Sequence, residues 1–259
     1  MEWGGFNSHD VPGCATVFDY SIDREEDPTS QRFEKQISGR YLGEIARKVC
    51  VHLMDSGLLF SDSTDSNLIE AANQVFRHKH TFTTPMMSAI EGSDYEYVLS
   101  LKNSGKTTKF SEYFLNASYE NQQKIRTGWV SKSAMDAVIN LNAADSPESF
   151  ANQSKMAQDF VRMWMTASER DREIITNVCH MVSTRAARLA AAAIVAVVRK
   201  TKRKKCTVAV DGSVFEKYPH FQADMENAIT EMCGDDYELK LVHAEDGSGK
   251  GAALIASVL

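Results

Sequence analysis

The sequence predicts an α/β fold with mainly parallel strands, and three observations carry that expectation. Two strand–glycine turn–helix units follow one another after residue 205. Two long stretches, from Phe33 and from Ile174, repeat apolar residues at helical spacing. The 259 residues are 43% hydrophobic with 14 Gly and 5 Pro, enough to build a core in one large or two small domains. That composition excludes a collagen-like or broadly disordered chain.

The first thirty residues mix short aromatic and β-branched runs with turn residues, as in Ala15-Thr16-Val17-Phe18-Asp19-Tyr20, and read as irregular strand or loop. Phe33, Ile37, Tyr41, Leu42, Ile45, Val49 and Leu53 then mark one face of a long helix, with Gly57 as its stop. Residues 61–65 read as a loop, and Leu68, Ile69, Ala72 and Phe76 as a short amphipathic helix. Met163, Trp164 and Met165 belong to a helix as core residues. Ile174 to Val198 predicts a second long helix, Ala-rich and apolar on most sides, as helices buried between layers are.

The basic run Arg199 to Lys205 reads as a solvated loop whose cations favour the negative end of that helix. Cys206 to Val210 predicts a buried strand ended by Asp211-Gly212-Ser213. Pro219 to Met232 predicts a helix, Tyr237 to Val242 a second strand, and Ala252 to Val258 a last helix after a glycine-rich turn.

The net charge of −6 disfavours a dedicated nucleic-acid binder, whose affinity rests on neutralising phosphates. Five cysteines without a CxxC pair, and no secretory signal at Met1-Glu2-Trp3-Gly4, point to reduced thiols and a cytoplasmic protein. The longest apolar stretch, Leu189 to Val198, is about half of what a membrane span needs, so no span is expected.

Strand, glycine turn and helix start together make a nucleotide or anion site, because glycine lets the backbone approach a ligand. Both turns, Asp211-Gly212-Ser213 and Gly247-Ser248-Gly249-Lys250-Gly251, should leave the same end of adjacent strands, where ligands of open α/β sheets bind. A P-loop is excluded: Ala244 stands where its first glycine belongs and Gly251 where its Ser or Thr belongs.

Five separated segments then become specific: Met1-Glu2-Trp3-Gly4, Gln31 to Glu44, Thr184 to Ala190, Val210-Asp211-Gly212-Ser213 with Lys217-Tyr218-Pro219, and Glu245 to Leu254. In this order they resemble the hexokinase family from end to end, except across residues 95–170, which look like a family-atypical insertion. The resemblance implies the actin-like ATPase (ribonuclease H-like) fold, with residues 1–259 as the large lobe, incomplete at its N-terminus, and most of the small lobe absent. It implies a hexose and ATP as partners, with Mg²⁺ accompanying the ATP, and transfer of the γ-phosphoryl to the C6 hydroxyl of glucose or a related hexose.

Carried over residue by residue, Glu2, Gln31 and Glu34 match the family's sugar-binding positions. Carboxylates suit that task because they accept strong, charge-assisted hydrogen bonds from hydroxyls. On the nucleotide side, Gly39, Gly212, Ser213, Ser248 and Gly249 match, with Thr84 and Ser88 as phosphate-proximal hydroxyls, although the run Thr83 to Ser88 departs from the family's usual one.

The family's upstream phosphate loop, lysine-bearing sugar segment and Asn-Asp-Thr motif do not occur here, so the general-base aspartate is expected upstream of Met1 and no catalytic residue within the chain. The intact protein is then expected to add an N-terminal lobe, and this chain alone to be inactive. A sheet lacking its first strands exposes an unpaired edge. Poor solubility or a partly molten state is therefore expected, and a sharp thermal transition with monomeric elution would contradict it. Two rival readings stand: a catalytically inactive sugar- or nucleotide-binding module acting as sensor or scaffold, and a different actin-like ATPase without sugar specificity.

Overall fold

The structure, a computed structural model, describes residues 3–93, 147–234, 237–244 and 255–256. The insertion expected over residues 95–170 therefore lies largely outside the described residues, as do the turn at 247–251 and most of the last helix. Two compact units divide the chain: Met1–Gln36 with Arg40–Val182, and Ile37–Gly39 with Ser183–Leu259.

The described residues of the first unit contain helices and no strand. After a short 3-10 turn at Ser8–Asp10 comes α1 (Val17–Glu25), where irregular strand or loop was expected. The correction has a local cause. Thr16 and Asp19 form a capping box: the Thr16 amide donates to Asp19 Oδ2 at 2.7 Å and the Asp19 amide to Thr16 Oγ1 at 3.4 Å. Satisfying two otherwise orphaned amides outweighs the β-branched character of Thr16-Val17.

The helix expected from Phe33 is present but divided at Ser38 into α2 (Arg32–Ile37) and α3 (Gly39–Asp55). Downstream lie α4 (Ser66–Phe76), α5 (Thr84–Ser93), α6 (Pro147–Thr166) and α7 (Glu169–Thr201), the last contributing residues to both units. Apolar faces of α3 to α6 form the core: Phe76, Phe82 and Phe160 are buried in sequence, with ring centroids 5.1 and 6.2 Å apart, and Trp164 stacks on Phe160 at 6.4 Å. Such packing adds to the area term that aromatic burial already supplies.

Asp171, in the first turn of α7, fastens an incoming loop, its Oδ1 accepting from the Phe60 amide at 2.8 Å. Of the described helices α7 is long and apolar enough to span a bilayer, and 50% of its most apolar window is buried inside the protein. Ile175, Val178, Cys179 and Val182 are buried in the first unit, and Ala186, Ala187, Ile194 and Val195 in the second. All five cysteines are free.

Charge organises the surface between α1 and α3. Glu25 accepts from Lys48 at 2.7 Å, Lys79 at 3.0 Å and Ser21 at 3.0 Å. Burial pushes its carboxyl up, but the hydrogen bonds from Lys48, Lys79 and Ser21 outweigh it and hold the group at about 2, against an ordinary 4.5. A depressed carboxyl stabilises the fold fully above its unfolded value and loses that contribution as pH falls towards its folded value. The melting temperature should therefore drop between pH 4.5 and 2, and less steeply in Glu25→Gln; parallel profiles for the two proteins would contradict this.

The second unit contains the expected strand–turn–helix succession. β1 (Lys205–Val210) is followed by α8 (Ser213–Lys217), α9 (Phe221–Cys233) and β2 (Glu238–His243). The strands pair in parallel, from Lys205 opposite Glu238 to Val210 opposite His243. β1 was expected to be buried; in the structure alternate residues, Thr207 and Ala209 among them, are exposed, because each strand has one described neighbour. The basic run is shorter as a loop than expected. Arg199 and Lys200 complete α7, Lys205 opens β1 with a 2.7 Å ion pair to Glu238, and Arg199 donates to the Met232 carbonyl near the C-terminus of α9 at 2.5 Å.

Candidate functional site

Gln31 and Glu34 bracket the start of α2, on a turn of unusual backbone. Asp27, Thr29 and Gln31 have φ of 47°, 69° and 45°, all in the left-handed region. Each such residue costs about 1–3 kcal/mol unless its surroundings impose it, and a β-branched threonine is the least tolerant. The Asp23 carboxylate, 6% exposed, supplies the constraint. It accepts from the Thr29 amide at 3.1 Å, from Arg32 Nε at 2.9 Å and from Lys35 Nζ at 2.9 Å. Lys35, itself buried, donates also to the Asp27 carbonyl at 2.8 Å, and Arg32 to Asn7 Oδ1 at 2.7 Å. Burial raises the Asp23 carboxyl, yet the bonds from Lys35, Arg32 and Thr29 keep it below the usual carboxylate range.

Above this turn sits Gly4. Its carbonyl accepts from the Glu34 amide at 3.1 Å. A Cβ there would lie 2.7 Å from Gln31 Oε1 and 3.3 Å from Glu34 Oε2, so both side chains close on the same piece of backbone. Phe33, buried on α2, anchors the helix through an edge-on contact with Phe6 at 6.0 Å. Glu34 is half-buried and Gln31 exposed. The pair presents a carboxylate that accepts hydrogen bonds beside an amide that both donates and accepts, a combination suited to a polyhydroxyl ligand. Glu2 lies outside the described residues.

In the second unit, Gly212 and Ser213 leave the C-terminal end of β1. A Cβ on Gly39 would stand 2.6 Å from Cγ2 of Val214, so Gly39 lies against the start of α8. Val210 and His243 are registered partners, and the Ala244 amide donates to the Val210 carbonyl at 2.9 Å. The chain thus leaves β2 at the same end of the sheet as it leaves β1, as the sequence predicts. Ser248 and Gly249 lie outside the described residues.

Thr84 and Ser88 belong to the first unit, at the start of α5 and one turn further. Thr84 is buried, and its hydroxyl oxygen accepts from the Gly43 amide at 2.9 Å, so this group fastens α5 to α3. Ser88 is half-buried.

Sequence reasoning left out Gly4 as a contact of its own, together with Asp23 and Lys35. The Met1–Gly4 match contains the first; the other two carry no spacing signal, because their partners lie six to twelve residues away across the turn between α1 and α2.

The fold is that of the actin-like ATPases, shared with solved hexokinase structures. A hexokinase from Schistosoma mansoni complexed with glucose superposes with a TM-score of 0.64 at 24% identity, over 99% of this chain and 45% of that one. A second hexokinase crystal structure superposes with a TM-score of 0.56 at 22% identity. The chain belongs to the hexokinase family: a family model described as hexokinase matches residues 1–127 and 112–258. Relatives include hexokinase-1 of Spinacia oleracea, 30% identical, and hexokinase-1 of Arabidopsis thaliana, 29% identical, each aligned over 99% of this chain. The chain spans 41% of the length of these relatives.

Proposed function

We propose that this chain supplies hexose and nucleotide contacts of a cytoplasmic hexokinase, which transfers the γ-phosphoryl of ATP to the C6 hydroxyl of glucose or a related hexose at the first step of glycolysis. One observation carries the reading: the Gln31 amide and the Glu34 carboxylate converge on the Gly4 backbone. Gly39, Gly212 and Ser213 would hold the nucleotide, with Ser248 and Gly249 joining them and Thr84 and Ser88 near its phosphates. Glu2 would complete the sugar contacts. Five free cysteines support a reducing compartment.

Phosphoryl transfer needs positioning, charge neutralisation and a carboxylate to take the hydroxyl proton. The first is what the residues named here provide. Among the described residues no cluster of three or more His, Cys, Asp or Glu could hold a metal by itself. A Mg²⁺ carried by the ATP phosphates, keeping several of its waters, would neutralise phosphate charge.

Calorimetric titration with D-glucose tests the reading. Hydrogen bonds to charged groups contribute about 1.5–3 kcal/mol, so Glu34→Gln should weaken glucose binding roughly tenfold or more, and Gln31→Ala somewhat less. Absence of both a binding heat and thermal protection by glucose in the unaltered chain would refute it.

A further inference from the structure

We infer that Asp23 is a positioning residue for the hexose contacts: its buried carboxylate holds the 27–32 turn in the one conformation that brings Gln31 and Glu34 together at Gly4. The inference rests on the hexose-binding reading above.

Three left-handed, non-glycine residues in five positions do not persist without an external hold, and each is tied to the same centre. Thr29 donates its amide to Asp23. Asp27 is held through its carbonyl by Lys35, which reaches Asp23 with the same ammonium group. Gln31 lies between Thr29 and Arg32, both bonded to Asp23, so its backbone angle is dictated from both sides. The Lys35 amide then donates to the Gln31 carbonyl at 3.0 Å, and Glu34 follows in register with its own amide on Gly4.

The pair is an unpromising device for stability alone. Asp23 and Lys35 are each 4% exposed, and the desolvation of a buried ion pair commonly offsets its attraction. Its advantage is directional: one carboxylate has lone pairs enough for an amide, a guanidinium and an ammonium arriving from three sides. Asparagine keeps the shape but turns an amide donor towards those donors.

The test uses the full 259-residue chain. In Asp23→Asn, hydrogen exchange at the Thr29 and Glu34 amides should accelerate at least tenfold while the amides of α9 keep their protection, and the Kd for D-glucose should rise at least tenfold. Adding Thr29→Gly, which removes the least tolerant left-handed residue, should restore most of that affinity, a rescue that a merely structural role for Asp23 would not give. Should Asp23→Asn fail to fold, Arg32→Gln removes one arm of the network at a partly exposed side chain, and the same pattern is expected at about threefold. Unchanged exchange at Thr29, a loosened turn with unchanged glucose affinity, or no rescue by Thr29→Gly would overturn the inference. If the unaltered chain does not bind glucose, the hexose reading fails, whereas the exchange measurement still decides whether Asp23 holds the turn.

Discussion

Gly43→Ala is expected to destabilise the protein by about 2–3 kcal/mol, although helix propensity by itself predicts the opposite sign. In the middle of α3, alanine is intrinsically favoured over glycine by about 1 kcal/mol. Tertiary packing reverses this. A Cβ at residue 43 would stand 2.5 Å from the Phe82 carbonyl oxygen, the Thr83 carbonyl carbon and the Thr84 nitrogen. All three are backbone atoms, so no side chain can swing aside, and α3 must part from the start of α5. Overpacking of this kind costs about 1–3 kcal/mol and sometimes more. Parting the helices also breaks the bond from the Gly43 amide to Thr84 Oγ1. Thermal unfolding should show a fall of about 2–4 °C for each kcal/mol lost. A variant more stable than the parent would show that propensity outweighs packing here.

Arg47→Ala should be more severe, at about 3–5 kcal/mol, because it strands a buried charge. Glu44 and Arg47 are one turn apart on α3, with side chains 3% and 7% exposed. Arg47 grips Glu44 with two parallel bonds, Nε to Oε2 at 2.7 Å and Nη2 to Oε1 at 2.6 Å. Its remaining nitrogen donates to the Phe76 carbonyl at the end of α4, while Glu44 Oε2 also accepts from the His80 amide at 3.0 Å. The pair thus closes α4 and starts the turn towards α5. Removing the guanidinium leaves the carboxylate without its partner in a dry site, whereas Glu44→Gln with Arg47→Met removes both charges. The double variant loses only the two backbone contacts, about 1–3 kcal/mol each at most. Urea titrations should therefore rank it no less stable than Arg47→Ala alone, and the reverse order would mean that the charges are not the dominant effect.

Much of the helical framework was legible in the sequence because its cause is local. Apolar residues from Phe33 to Leu53 and from Ile174 to Val198 keep helical spacing, and that spacing survives in α2 with α3 and in α7. The α2–α3 break was not legible, since the apolar phase runs through Ser38 without a gap. At residues 15–20 the helix was not legible for a different reason: the β-branched and aromatic residues there favour a strand locally, and the two-bond cap formed by Thr16 and Asp19 overrides them. Gln31 and Glu34 were visible as part of a family-like segment. Their meeting over Gly4, and the carboxylate beneath them, were not.

What the amino-acid order determined by itself is therefore the set of elements whose hydrogen bonds and apolar faces close within a few residues, together with the family to which the chain belongs. Which groups share a turn, which glycine tolerates no Cβ, and which buried charges find partners were decided by tertiary structure. Those outcomes depend on ångström-scale approaches between residues tens of positions apart, and no local periodicity encodes such distances.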